Sequence, residues 1–224
     1  NINKVNHVNN GVDLAEFERN RQLYTLENSQ IANDDAFKVV YMGSIRKVNN
    51  LQTLVDAARE LKNENVHFYI YGDGTEKDML EEQCRKQALN VKFEGRVEKK
   101  YIPYILSQSD LNIINVQGAG INRYGCSWNK LFEYMASKKP ILCNLPIEHD
   151  LIRERKLGVA KKFKTAKEYA QEIIVFKNMS DKDYKNYCDR LEKTAKEYDY
   201  QTLSDKIEFI MKKAINISKN KNLS

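Results

Sequence analysis

The sequence predicts a doubly wound α/β domain built on a parallel sheet, followed by a helical C-terminal tail. Short apolar runs typical of buried strands alternate, from Phe37 onward, with segments whose apolar residues recur at helical spacing. Glycine follows four of these strands, where the chain must turn toward the next helix. Because strands joined by helices run parallel, their carboxyl ends meet at one edge of the sheet, where such folds bind ligands.

Each element follows from its local pattern. The predicted strands are apolar runs bounded by turns, at residues 37–42, 66–71, 91–94, 111–114 and 141–143, with a last short one at 159–160. The predicted helices outside the glycine-rich region carry one apolar face and cover residues 50–61, 75–88, 101–107, 151–156 and 165–176. Thr75 is the expected N-cap of the second of these helices.

The segments before and after the sheet differ from it in composition. Residues 1–36 are rich in Asn and other polar residues, and they form a lead-in segment with a short charged helix expected at 14–24. The α/β domain covers residues 37–180, charged C-terminal helices cover 181–217, and 218–224 form a frayed tail. Two apolar stripes mark these C-terminal helices, at Tyr184, Tyr187, Leu191, Ala195 and Tyr198 and at Leu203, Ile207, Ile210, Met211 and Ala214.

The composition indicates a soluble globular protein. The chain is 42% hydrophobic and 30% charged, its net charge is +6, and no apolar run reaches the length of a membrane span. No signal peptide is visible, so we expect a cytoplasmic protein. Basic residues do not cluster with aromatic ones, which argues against a nucleic-acid platform. The sequence begins with Asn1 rather than Met, and we expect it to be a fragment of a longer protein.

The cysteines and histidines of the sequence do not have the spacing of a metal site. Four cysteines, Cys84, Cys126, Cys143 and Cys188, lack metal-ligand spacing, and we expect free thiols in a reducing compartment. The three histidines lie far apart in the sequence, which argues against a His-built metal site.

Residues 124–140 have the pattern of a tight polar turn, a short helix and a break. Gly125 frees the backbone before the helix, Ser127 is the expected N-cap, and Pro140 ends the helix. Glu133 lies inside the helix, beside its apolar face. A helix N-terminus at a strand end offers backbone N–H groups to anions, so this stretch predicts a site for a phosphorylated ligand.

The glycine-bearing strand ends predict where the rest of such a site would lie. They are residues 43–44, 72–74, 95–97 and the loop 116–129. Each one alone is more often an ordinary turn than a binding loop. The sequence contains neither a complete dinucleotide fingerprint nor a Walker loop, which excludes those two phosphate-binding motifs.

An ordered series of short motifs covers nearly the whole chain. It consists of Asn10-Gly11-Val12-Asp13 with Phe17, Tyr41-Met42-Gly43, Tyr71-Gly72-Asp73-Gly74 with Glu76, Val91 to Val97, Ser109-Asp110, and Asn129 to Ala136 leading to Lys139-Pro140. In this order, from His7 to Ile217, the sequence resembles the C-terminal, donor-binding domain of a GT-B glycosyltransferase of the large retaining family 4. The resemblance implies a Rossmann-like fold, one half of a GT-B enzyme. Members of capsule and O-antigen pathways often carry the same Tyr-Gly…Asn-Lys pattern.

The resemblance also implies a nucleotide-sugar site. Glu133 matches the second glutamate of the family's Glu-x7-Glu motif, which binds the ribose hydroxyls of the donor; a solvated or salt-bridged helix glutamate is the alternative. Gly125 replaces the first glutamate, which in the family helps to hold the transferred sugar. Arg96 and Val97 are expected beside the base, or else form an ordinary surface loop. Further donor contacts are expected from Gly43, Ser44, Gly72, Gly74, Ser127, Asn129, Lys130 and Leu131.

The family usually neutralises the leaving diphosphate with an Arg directly after its first strand-end glycine and a Lys a few residues later. Ser44 and Asn49-Asn50 stand at those positions here. Arg46 and Lys47 lie between them, and we predict that they take over this catalytic role; an exposed basic loop is an equally weighted alternative. The resemblance implies no metal and no other cofactor, since the nucleotide sugar is itself the substrate.

The implied function is therefore a sugar transferase. The complete enzyme would move a hexose-type sugar from a nucleotide donor, expected to be UDP-linked, to a lipid-linked or polysaccharide acceptor in capsule or other surface polysaccharide biosynthesis. The acceptor domain would be missing from this chain, so we expect the chain alone to bind a nucleotide sugar weakly and to transfer nothing. Peripheral association of the full-length protein with the inner face of the membrane stays open.

Two other hypotheses remain at this point. The chain could be a natural donor-binding subunit of a split glycosyltransferase that a membrane partner recruits. It could also belong to another GT-B enzyme, such as a nucleotide-sugar epimerase, although the motif from Asn129 to Pro140 favours the transferase family.

Overall fold

The structure is a computed structural model that describes residues 5–118 and 127–221. In these residues, six parallel strands form one sheet in the order β3-β2-β1-β4-β5-β6. The strands are β1 Phe37–Met42, β2 Val66–Tyr71, β3 Val91–Gly95, β4 Leu111–Ile114, β5 Ile141–Cys143 and β6 Gly158–Ala160. The strand order reverses between β1 and β4, which is the doubly wound arrangement and confirms the predicted fold class.

Helices cover both faces of the sheet, and short 3-10 turns at Ile31–Asn33, Lys47–Asn49 and Lys99–Tyr101 join them to it. The helices are α1 Leu14–Leu23, α2 Leu51–Glu60, α3 Lys77–Lys86, α4 Ile102–Gln108, α5 Asn129–Ala136, α6 Leu151–Glu154, α7 Ala166–Lys177, α8 Asp181–Glu197 and α9 Tyr200–Lys221. Thr75 was wrongly predicted as the N-cap of α3, because Glu76 holds that position and makes no side-chain capping bond. Backbone bonds close this turn instead, from Glu76 N–H to the Ile45 carbonyl at 3.0 Å and from Lys77 N–H to the Gly74 carbonyl at 3.1 Å.

The core has two layers, one on each face of the sheet. Alternate residues of β1 and β2 point to opposite layers, so that Val40 and Tyr69 pack with α4, α5 and α8, while Val39 and Phe68 pack with α2, α3 and α7. All four side chains are buried. Burial on both faces explains why these strands appear in the sequence as predominantly apolar runs rather than as alternating patterns.

Helix α5 is fixed to the centre of the sheet by one buried tyrosine. The Tyr134 hydroxyl accepts a hydrogen bond from Met42 N–H at 2.9 Å and donates one to the Ile113 carbonyl at 3.2 Å. Since Met42 belongs to β1 and Ile113 to β4, Tyr134 bridges the two strands between which the strand order reverses. The N-terminus of α5 therefore lies at the switch point, where open α/β sheets bind their ligands.

The lead-in segment packs onto the domain. Val12 N–H donates to the Tyr198 carbonyl and Tyr200 N–H donates to the Val12 carbonyl, both at 3.0 Å. Val12 and Phe17 are buried in the same layer as α5. This segment thus forms one wall of the region in front of α5, although its sequence resembles a polar linker.

The two C-terminal helices behave differently. The stripe on α8 packs on the domain, with Leu191 and Ala195 buried and the Tyr198 ring 5.4 Å from that of Phe132. Of the stripe on α9, Leu203 is buried, but Met211 is 59% exposed. None of the helices in the described part of the chain is long and apolar enough to cross a membrane.

Candidate functional site

The carboxyl ends of β1 and β2 approach each other closely, and glycine makes this approach possible. Gly43 and Gly72 have φ angles of 147° and 137°, and a Cβ atom on Gly72 would overlap the Gly43 carbonyl. Likewise, a Cβ atom on Gly74 would overlap the carbonyl of Ile45. The packing of the two loops alone therefore requires Gly72 and Gly74, and neither residue lines the cavities described below.

A cavity of about 480 Å³ opens where β1 ends and α5 begins. Its lining consists of Met42, Gly43, Ile102, Ser127, Trp128, Asn129, Lys130 and Glu133. Gly43, Ser127, Asn129, Lys130 and Glu133 are residues that the sequence predicted for donor binding, so the fold brings these five together.

A smaller recess of about 160 Å³ lies on the other side of Glu133. It shares Ile102, Asn129 and Glu133 with the first cavity and is closed by the lead-in segment, α1 and the start of α4. The further residues that line it are Gly11, Val12, Asp13, Glu16, Phe17, Asn20, Lys99, Lys100, Pro103 and Tyr200. None of these residues was predicted from the sequence as a site residue. Asp13 was already marked by the Asn-Gly-Val-Asp motif, whereas Lys99 had no local signal.

Lys130 is held inside the first cavity. Its Nζ lies 4.5 Å from the centroid of the Tyr41 ring and 3.4 Å from the Tyr41 hydroxyl. A Cβ atom on Gly43 would lie 2.7 Å from the same Nζ, so glycine at this position leaves the room that the ammonium group occupies. Burial lowers the pKa of Lys130 to about 8, although the Glu133 carboxylate opposes this shift. The ammonium group is therefore predominantly protonated at neutral pH but poorly solvated.

Glu133 lies three residues after Lys130, on the same side of α5. Burial raises the pKa of its carboxyl group, while the charges of Lys99 and Lys130 act in the opposite direction. Within residues 5–118 and 127–221, no side chain forms a hydrogen bond or ion pair with this carboxylate. The carboxylate is thus half-buried, lines both cavities, and has acceptor capacity for a ligand.

The N-terminus of α5 has no side-chain cap. Trp128 holds the N-cap position and makes no capping bond, so the prediction of Ser127 as N-cap was wrong. The Ser127 hydroxyl donates instead to Asn9 Oδ1 at 2.6 Å, and the Asn10 side-chain amide donates to Asn129 Oδ1. The lead-in segment therefore fixes the start of α5, and within the described residues no side chain caps the first backbone N–H groups of the helix.

Several predicted site residues lie outside the cavity. Ser44, Arg46 and Lys47 are exposed, and the Ser44 hydroxyl accepts a hydrogen bond from the Asn49 amide at 2.9 Å. Neither Arg46 nor Lys47 forms an ion pair with a residue of the described ranges. On the structure they form the exposed basic loop that the sequence analysis kept as an alternative.

Three further predicted site residues, Arg96, Val97 and Leu131, do not line the cavity. Arg96 forms an exposed ion pair with Asp73, with Nε and Oδ2 3.4 Å apart, and Val97 packs against the core layer that contains α5. Leu131 is also buried in this layer, with 4% of its surface exposed. The side chain of Leu131 therefore faces the core, and its contact with the donor stays a prediction. Gly125 and Cys126 lie outside the described residues.

No metal centre is apparent among the described residues, where no three His, Cys, Asp or Glu side chains are close enough to share an ion. Cys84 and Cys143 are buried cysteines and Cys188 is a half-buried one. The polar groups of the residues that line the cavity include one ammonium group, one carboxylate, one side-chain amide, one hydroxyl, one indole N–H and the N-terminus of α5. This set suits an anionic ligand that also carries hydroxyl groups.

Solved structures of several glycosyltransferases have this fold. A glycosyltransferase from Rickettsia africae superposes with a TM-score of 0.76 at 15% identity, over 95% of this chain and 58% of the other. HepE from Anabaena, solved with UDP and glucose, gives 0.70 at 18% identity, over 92% of this chain and 56% of the other.

The C-terminal domain of LpcC, a glycosyl transferase group 1 family protein from Francisella tularensis, gives a TM-score of 0.63 at 19% identity, over 85% of this chain and 100% of the other. These likenesses confirm the predicted resemblance to a C-terminal GT-B domain. This chain spans little more than half the length of the Rickettsia and Anabaena proteins.

Sequence comparison gives a family but no individual relative. Curated protein sequences contain no significant match to this chain. The family model described as glycosyl transferases group 1, in contrast, matches residues 25–198, which is more than half of the chain. The chain therefore belongs to the glycosyl transferases group 1 family.

Proposed function

We propose that this chain binds the nucleoside diphosphate part of a sugar donor, and that the complete protein transfers the sugar. The observation that carries the proposal is that Lys130 and Glu133 lie on one side of α5 and line the same cavity, at the switch point of the sheet. A nucleoside diphosphate needs a cation for its phosphates and a carboxylate for its ribose hydroxyls, and these two groups supply both.

Lys130 and the α5 N-terminus would hold the diphosphate. The uncapped N–H groups and the positive end of the helix dipole favour an anion at this position. The Lys130 ammonium group adds a full charge in a partly desolvated setting, where an ion pair is stronger than it is in water. Together they would stabilise the charge that develops on the diphosphate as it leaves the sugar.

Glu133 would hold the ribose. Its carboxylate has no hydrogen-bond donor among the described residues and is partly withdrawn from water, so two ribose hydroxyls would give it the donors that it lacks. Burial raises the pKa of Glu133, and the charge of Lys99 opposes this rise and so favours the ionised carboxylate.

Arg46 and Lys47 keep their predicted role beside the diphosphate as part of this proposal. The loop that carries them follows β1 directly, as does Gly43 in the cavity. Since their side chains are exposed, their charges are screened by water, and we assign them a smaller contribution than that of Lys130.

UDP is the donor nucleotide that we propose. The support is that HepE, which shares the fold, was solved with UDP-glucose. We further propose a hexose-type sugar, transfer with retention of configuration, and a lipid-linked or polysaccharide acceptor in surface polysaccharide synthesis at the cytoplasmic side of the membrane. The acceptor domain would come from the part of the full-length protein that this chain lacks, so the chain alone would bind the donor without transferring sugar.

Calorimetric titration of this chain with UDP, GDP and ADP tests the proposal. We expect saturable binding that is strongest for UDP and roughly tenfold weaker in Glu133→Gln, because a charge-assisted hydrogen bond is lost. Glu60→Gln is the matched control, since Glu60 is an exposed glutamate at the end of α2 and lines neither cavity. Absence of saturable binding to all three nucleotides would overturn the proposal.

A further inference from the structure

Asn115, directly after β4, is a buried polar residue that the proposed ligand contacts do not use. It has 0% of its surface exposed. Its amide Nδ2 donates to the Asn50 carbonyl at 2.8 Å and to the Thr53 hydroxyl at 2.9 Å. Its Oδ1 accepts a hydrogen bond from the Tyr169 hydroxyl at 2.7 Å. Three elements, β4, α2 and α7, are thus joined through one amide.

Asn50 is the point at which the basic loop ends and α2 begins. Its backbone is left-handed, with φ 44° and ψ 48°, a conformation that costs a non-glycine residue free energy unless its surroundings hold it. The Asn115 amide and the Thr53 hydroxyl both donate to its carbonyl. Asn115 therefore holds the end of the loop that carries Arg46 and Lys47.

A second connection runs beside the first. Gln117 N–H donates to the Val48 carbonyl at 2.8 Å, within the same basic loop. The Asn144 side chain accepts from Val116 N–H at 2.9 Å and donates to the Val116 carbonyl at 3.1 Å. The segment after β4 is thus hydrogen-bonded to Asn144, directly after β5, and to the basic loop.

Asn112, within β4, is a second buried asparagine with which Asn115 can be compared. Asn112, three residues earlier, is also fully buried, but it accepts from the Ser109 hydroxyl and donates to the Ser137 hydroxyl, 3.0 and 3.1 Å away. These partners lie at the opposite end of the sheet from the cavity, because Ser137 is the C-cap of α5. The two asparagines therefore have the same burial and chemistry but hold different ends of the fold.

We propose that Asn115 is a positioning residue, which fixes the basic loop relative to α5 so that Lys47 and Lys130 act on the same diphosphate. This inference rests on the proposed function for the identity of the ligand. The inference deepens that function, because it assigns the position of the basic loop relative to α5 to a buried amide that contacts no ligand. A group that acts in this way should affect phosphate binding but not nucleoside binding.

The test compares UDP with uridine, which lacks the phosphates, by NMR titration of the wild type, Asn115→Leu and the matched Asn112→Leu. We expect Asn115→Leu to bind UDP about threefold more weakly while its affinity for uridine stays unchanged. In Asn112→Leu the ratio of the two affinities should equal that of the wild type. An equal loss for UDP and uridine in Asn115→Leu would show a merely structural role and would overturn the inference.

A double-mutant cycle sharpens this test. If Asn115 acts through the basic loop, Lys47→Gln weakens UDP binding in the wild type but has no further effect in Asn115→Leu. Additive effects would contradict the inference. Should Asn115→Leu fail to fold, Tyr169→Phe carries the same cycle, because it removes only the hydroxyl that orients the amide and keeps the ring stacked on Phe163.

Hydrogen exchange separates the failure of this inference from the failure of the proposed function. The amides of residues 47–50 should exchange faster in Asn115→Leu than in Asn112→Leu, whether or not a nucleotide binds. Equal exchange in the two variants would overturn the coupling between Asn115 and the loop. A wild-type chain that binds no UDP would instead reject the proposed function.

Discussion

Two regions at the same edge of the sheet carry lysine, and the fold holds the two lysines differently. Lys130, in the first turn of α5, is half-buried against Gly43 and the Tyr41 ring. Lys47, in the loop after β1, is exposed and begins a short 3-10 turn. Since water screens exposed charges, the same ammonium group should bind an anion more strongly at position 130. On the proposed function, we therefore expect burial, more than proximity to a strand end, to distinguish a binding cation from a solvated one.

The largest expected effect comes from removing the buried charge. Lys130→Met should weaken UDP binding roughly thirtyfold, since a charged hydrogen bond contributes about 1.5–3 kcal/mol. Lys92→Met is the matched control, because Lys92 also lies 3.4 Å from a tyrosine hydroxyl, that of Tyr69, but does not line the cavity. Calorimetry measures both, and a loss of equal size in the two variants would show that the effect is not specific to the cavity and would contradict the role of Lys130.

The pH dependence of UDP binding should show an intermediate effect. Lys130 has a pKa of about 8 in the free chain, so it is protonated below that pH and loses its charge above it. An anionic ligand favours the protonated form, and we expect UDP affinity to fall about fivefold between pH 7 and pH 9.5. The fall should be absent from Lys130→Met. An equally steep fall in that variant would assign the titration to another group.

The smallest effect is expected in the exposed loop. Lys47→Gln should weaken UDP binding about threefold, which corresponds to the modest strength of a solvent-screened ion pair. The same measurement on Arg46→Gln checks whether the two side chains contribute alike. A loss in either variant that exceeds the loss in Lys130→Met would reverse the comparison and make the basic loop the main phosphate site.

The sheet could be predicted from the sequence because its signals are local. Predominantly apolar runs of three to six residues mark β1, β2, β4 and β5, since most of their side chains are buried. The helical spacing in α2 and α5 has the same local origin.

The start of α5 could not be predicted in the same way. Ser127 looked like an N-cap, yet its hydroxyl donates to Asn9, which is 118 residues away in the sequence. Leu131 stands within the motif but faces the core, while Lys99 lines the recess without any motif. Each of these outcomes depends on which distant segment packs against α5, and a local pattern does not contain that information.

The polar connections beneath the site had no signal in the sequence either. Asn115 follows an apolar strand, and nothing near it indicates that its partners belong to α2 and α7. Glu133, in contrast, was identified because a whole motif surrounds it. A motif therefore predicts a candidate binding residue more readily than it predicts a side chain that joins distant elements.

A crystal structure of this chain with UDP tests the central claim most directly. The account predicts the diphosphate within hydrogen-bond distance of Lys130 Nζ and of the first backbone N–H groups of α5, with the ribose hydroxyls on the Glu133 carboxylate. A diphosphate bound by Arg46 and Lys47 alone, with Lys130 and Glu133 out of reach of the nucleotide, would contradict it.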